Sequence, residues 1–68
     1  MERKKYLECC QLYAFGKNNR VEYNGSEYFP IAYELKFNTA GVPVHTAILR
    51  DCKARSLVYC RLENVKEV

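Results

Sequence analysis

Four cysteines and one histidine are the residues of this 68-residue chain whose types do nucleophilic or metal chemistry. Structural zinc sites present paired cysteines with about two to four residues between them. Here Cys9 and Cys10 are adjacent, and seven residues separate Cys52 from Cys60. Neighbours on a helix point about 100° apart, so two adjacent sulfurs do not converge on one ion. No secretory signal supports a disulfide framework. The expectation is no bound metal and no intramolecular disulfide. Cys10 and Cys60 then serve as small core hydrophobes, and Cys9 and Cys52 as partly exposed thiols.

A Cys–His nucleophile needs its base within hydrogen-bond reach of the thiol. His45 lies next to Thr46 in a strand-like run with no local motif around it, and reads as a sheet histidine at the core edge. The glycines are isolated turn residues, so no phosphate-cradling loop is present. Glu22, Glu27 and Glu34 alternate on strand exteriors, the pattern of a solvated face rather than of an acid–base pair. Nothing here assembles a catalytic site or a cofactor site, and the chain is expected not to be an enzyme.

The cations offer more. Arg50, Lys53, Arg55 and Arg61 cluster about one connection and its flanking strands, and Tyr59 has the parity of Arg61. Cations mixed with an exposed aromatic suit single-stranded nucleic acid, where bases stack and phosphates pair. The competing reading is a solvated basic loop that maintains solubility. The formal charge of +3 permits a nucleic-acid partner without demanding one.

These residues must be positioned by one small domain, 1–68, with a helix over 1–15 and an antiparallel strand meander over 20–67. Nearly half the residues are apolar, which favours a folded domain. A chain this short buries only about 60% of its unfolded surface, so its core is marginal. No apolar run is long enough to span a membrane. The basic start is interrupted by Glu8 and Gln11 and lacks a small-residue cleavage site, so a cytoplasmic protein is expected.

Arg3 to Phe15 has helical periodicity, with Leu7, Cys10 and Ala14 on one stripe and Tyr6 and Tyr13 beside it. Gly16 suits the left-handed position after a helix. The apolar arc also takes in Cys9, Leu12 and Phe15, wider than one docking stripe needs. Leu12 or Tyr13 is therefore expected at a subunit or partner interface.

Asn24-Gly25 between Val21-Glu22-Tyr23 and Ser26-Glu27-Tyr28 is a strong hairpin signal. It pairs Tyr23 with Ser26 and Val21 with Tyr28, and sets Glu22 opposite Glu27 on the wet side. In the next run Ile31, Tyr33, Leu35 and Phe37 are the apolar set, whereas Tyr28 belongs to the even one. One residue slips, and Pro30 marks the slip as a bulge or kink. Asn38-Thr39-Ala40-Gly41 fits a type I turn. The strand from Val42 to Arg50 has two competing apolar faces. Val58, Cys60 and Leu62 point inward from the following strand, and Asn64-Val65-Lys66 adds a short closing one. The fold class is α+β, mainly β: an N-terminal helix on a small bent antiparallel sheet or, as first choice, an SH3-like barrel, with an OB-like barrel second.

Tyr23-Asn24-Gly25-Ser26-Glu27-Tyr28-Phe29-Pro30-Ile31-Ala32-Tyr33, with His45–Asp51 and Ser56–Glu63, resembles a group of short proteins from bacterial phages and integrated mobile elements. The resemblance spans Val21 to Val65. It implies an element-borne accessory protein and brings no binding residues with it. The function expected is a non-enzymatic interaction module contacting protein or nucleic acid. The alternative is a structural or assembly protein acting as a homo-oligomer.

Overall fold

The Asn24-Gly25 turn forms with φ of 52° and 81°, the positive pair that a two-residue hairpin loop requires. It joins β1 (Val21–Tyr23) to β2 (Ser26–Phe37) in the expected register, Val21 opposite Tyr28, Glu22 opposite Glu27 and Tyr23 opposite Ser26. The computed structural model describes residues 1–68. Three further strands follow: β3 (Pro43–Asp51), β4 (Leu57–Arg61) and β5 (Val65–Glu67), with a 3₁₀ turn at Leu62–Asn64 before the last. One helix, α1 (Arg3–Ala14), precedes them.

All strand pairs are antiparallel and the sheet order is β4-β3-β2-β1-β5. The first four strands form a meander. The closing strand returns to pair with β1, with Tyr23 opposite Val65. The sheet stays open, which corrects the barrel expectation. β4 pairs only with β3, and β5 only with β1, so both remain free edges. The 3₁₀ turn carries the chain from one edge strand to the other without a ladder between them.

The β2–β3 register shifts between Pro30 and Ala32, where the parity slip places it. Pro30 pairs with Leu49, Ala32 with Ile48, and Ile31 is the extra residue. A bulge of this kind bends a strand, because two residues on it oppose one on its partner. Tyr6 of α1 seals the bend. Its hydroxyl lies 2.9 Å from the Ala32 carbonyl and 3.0 Å from that of Ile48, sharing one proton between two oxygens of the opened ladder.

The second strand turn is also as read. Gly41 N–H donates to the Asn38 carbonyl, and the Asn38 side-chain oxygen accepts from the N–H groups of Ala40 and Val42. The helix stops on Gly16, whose φ is 89°. Gly16 N–H donates to Tyr13 O and Lys17 N–H to Leu12 O, the double bond of a Schellman stop.

The core consists of Tyr6 and Cys9 from α1, Val21, Ala47, Leu49, Cys60, Leu62 and Val65. Ala47 and Leu49 settle the ambiguous strand: its odd residues face inward, and Val44, Thr46 and Ile48 lie half-buried on the outer side. The helix stripe sits off the expected one. Tyr6 and Cys9 are buried, whereas Leu7 and Ala14 are exposed. Cys9 thus takes the core position assigned to Cys10, which is half-buried beside it.

Candidate nucleic-acid interface on the edge strand

β4 projects Leu57, Tyr59 and Arg61 away from the core, because Cys60 between them is buried and side chains alternate. Register extends these positions into rows across the outer face. Arg61 stands opposite Thr46, and Thr46 opposite Glu34. Tyr59 stands opposite Ile48, and Ile48 opposite Ala32. Leu57 stands opposite Arg50, and Arg50 opposite Phe29. Tyr59 therefore occupies the middle row, next to a modest apolar residue and with 62% of its surface exposed.

Lys53 and Arg55 are exposed in the turn that leads into β4. Asp51 organises this turn: its Oδ1 accepts the N–H groups of Lys53 at 2.7 Å and Ala54 at 2.8 Å. Those backbone donors, first Ala54 and then Lys53, hold the Asp51 carboxyl below its ordinary pKa. Arg55 adopts φ of 59°, a left-handed conformation uncommon for a residue with a Cβ. The carboxylate nearest the loop is thus engaged by backbone, and the two cations point to solvent.

Arg50 and Arg61 differ from them. Arg50 is half-buried, and its guanidinium donates to the Tyr13 hydroxyl at 3.5 Å. Arg61 is exposed and lies 3.7 Å from Glu63. Four of the five sequence-selected residues, Lys53, Arg55, Tyr59 and Arg61, therefore lie along one edge strand and its entry turn, whereas Arg50 lies on the neighbouring β3 and is already engaged within the molecule. Lys36 of β2 lies on the same outer face, opposite Val44, and sequence reading passed over it. Its hydrogen bond and ion pair with Glu34, at 2.9 Å, raise its pKa. The register that brings β2 beside Tyr59 through β3 is what places it there.

The helix candidates also separate. Tyr13 is half-buried and stacks on Phe29, with ring centroids 4.8 Å apart, and the Arg20 guanidinium lies 5.6 Å from the Phe29 ring centroid. Leu12 is 45% exposed, and Phe15, at the helix end, is 75% exposed.

The four thiols are unpaired, and no group of three or more His, Cys, Asp or Glu side chains is placed to hold a metal. Burial raises the pKa of the Cys60 and Cys10 thiols. His45 has no thiol partner. Its Nδ1 hydrogen-bonds the Tyr33 hydroxyl, and the two rings stack at 5.9 Å.

Comparison with protein-family models, curated proteins and solved structures finds no match, so the surface is read from its own chemistry. No helix is long and apolar enough to cross a membrane.

Proposed function

We propose that this protein is a non-enzymatic, cytoplasmic interaction module whose working surface is the outer face and entry turn of β4, and that its partner is single-stranded nucleic acid. The observation that carries the reading is Tyr59, exposed in the middle row of an open sheet with Arg61 on its own strand and Lys53 and Arg55 at the strand's start. A flat ring on a sheet face stacks a base. Cations spaced along the same strand follow the phosphates. Duplex DNA fits less well, since the exposed ring of Tyr59 suits an unpaired base and the bases of a duplex are already stacked on one another. The resemblance to phage and mobile-element proteins fits an accessory role beside such nucleic acid.

The second reading is a homo-oligomer. It draws on the two free sheet edges and on Leu57, which is 51% exposed on one of them. Unpaired edge strands are templates for adding another chain.

The test is a fluorescence-anisotropy titration of the full chain against labelled single-stranded and duplex oligonucleotides of matched length. Preference for the single strand, weakened by Lys53→Ala/Arg55→Ala in a protein of unchanged far-UV spectrum, is expected. No binding to either probe, with a sedimentation mass above the monomer, favours the oligomer reading instead.

A further inference from the structure

A second site lies at the other end of β3. The Asn38–Gly41 turn, the start of β3, the 3₁₀ turn and the first residues of α1 enclose an open pocket of about 340 Å³. Its polar wall is dominated by hydrogen-bond donors. Arg3 and Arg61 both line it, and neither is held by a buried partner. Arg3 pairs with no carboxylate, and Arg61 has only the loose, exposed contact to Glu63. Exposed pairs of that kind are weak and exchange readily for a better acceptor.

Asn38 adds to the donor character. Its Oδ1 is taken by the backbone N–H groups of Ala40 and Val42, which leaves its amide Nδ2 to donate. His45 is fixed at Nδ1 by the Tyr33 hydroxyl, leaving Nε2 as its other polar atom. Glu63 is the one acidic residue of the lining. Val42 and Pro43 supply an apolar lip against which a flat ring can lie.

We propose that this pocket binds the phosphate group of a ligand of nucleoside monophosphate size. Two guanidinium forks match the oxygens of a phosphate, which accepts hydrogen bonds and donates few. The volume lies at the lower end of small-ligand sites, suited to a mononucleotide rather than a dinucleotide. The pocket stands apart from the β4 surface and shares only Arg61 with it.

The test is a ¹H–¹⁵N NMR titration of the full chain at constant ionic strength with sodium phosphate, AMP and adenosine. Phosphate and AMP are expected to give saturable shifts at the amides of Asn38, Val44, His45 and Leu62. AMP is expected to bind at least about tenfold more tightly than adenosine, the effect of one or more charge-assisted hydrogen bonds. Arg3→Gln/Arg61→Gln should abolish AMP binding and keep a dispersed spectrum, since both side chains are exposed. Arg3→Lys/Arg61→Lys should retain part of it, because charge survives while the fork is lost. A 5′-phosphorylated oligonucleotide that competes with AMP, where its 5′-hydroxyl twin does not, identifies the phosphate as a nucleic-acid end; absence of competition identifies a free nucleotide. Equal affinity for AMP and adenosine overturns the proposal, as does wild-type binding by the glutamine double variant or no saturable shift at all.

Discussion

Tyr6 holds the helix to the sheet through one hydroxyl. The ring is fully buried, and its oxygen faces two strand carbonyls at the bulge. Burial pushes the phenol pKa up, with nearby Cys10 adding to the shift, so the group remains a neutral donor. Tyr6→Phe keeps the ring and strips the donor from both carbonyls. A loss of about 1–3 kcal/mol is expected in urea unfolding. Tyr6→Ala also opens a cavity and should cost about 3–5 kcal/mol or prevent folding.

The thiols follow the same logic of burial. Cys9 and Cys60 are buried, and burial also raises the pKa of half-buried Cys10. Under native conditions a thiol reagent should modify Cys52 first, Cys10 more slowly because its raised pKa leaves less thiolate, and Cys9 and Cys60 only in denaturant; rapid labelling of Cys60 in folded protein would contradict the packing. Asp51 gives a pH signature. Its folded pKa lies below the ordinary aspartate value of 3.8, so the carboxylate favours the folded state above that value. That contribution is lost as pH falls from the ordinary value through the folded one. Asp51→Asn keeps an acceptor for the turn and removes the titration. Its stability should therefore fall less steeply than wild type below about pH 4.

At the scale of elements, α1 is stopped well and started badly. Its Gly16 stop is complete, whereas its N-cap, Glu2, makes no side-chain cap hydrogen bond. Its first turn carries Arg3, Lys4 and Lys5 and no acid, which opposes the helix dipole. Lys5 reaches Glu67 of β5 at 3.4 Å, and Arg3 lines the donor-rich pocket. Lys4 is exposed and makes no ion pair, so Lys4→Glu should stabilise the fold by about 0.3–1 kcal/mol. Thermal unfolding at low ionic strength measures it.

Much of the sheet was legible because local signals fix it. Asn24-Gly25 sets one register, Pro30 marks the bulge, and Asn38 with Gly41 sets the second turn. The buried face of β3 was not legible. His45, Ala47 and Leu49 alternate with Val44, Thr46 and Ile48, and both sets are apolar enough for a core. The bulge in β2 decides between them, since it sets which parity of β3 meets Pro30 and Tyr33. The helix stripe was misplaced for a related reason. Tyr6 docks where the bulge leaves carbonyls free, and that long-range demand outweighs the better apolar average around Leu7.

At the scale of the whole molecule, one sheet with two free edges presents a wet face along β4, while α1 buries Tyr6 and Cys9 in the core and reaches Phe29 and Arg50 through Tyr13. Closure was not decidable from the sequence. It depends on whether the edge strands meet, and the 3₁₀ turn between them is too short a signal to read. The basic strip was legible as a list, because parity aligned Tyr59 with Arg61. Its division was not: Arg50 is engaged by Tyr13, and Tyr13 by Phe29, through contacts far apart in sequence.

The central claim is that Tyr59 stacks a base while cations along β4 hold the phosphates. The most direct measurement is the salt dependence of single-stranded oligonucleotide binding by wild type, Tyr59→Phe, Tyr59→Ala and Lys53→Ala/Arg55→Ala. The account predicts near-wild-type affinity for Tyr59→Phe and a loss of about 1–3 kcal/mol for Tyr59→Ala at unchanged salt slope. The lysine–arginine double variant should reduce the slope of log K against log salt by about 0.7 for each cation removed. Binding that is insensitive to salt, or equal in wild type and Tyr59→Ala, would contradict it.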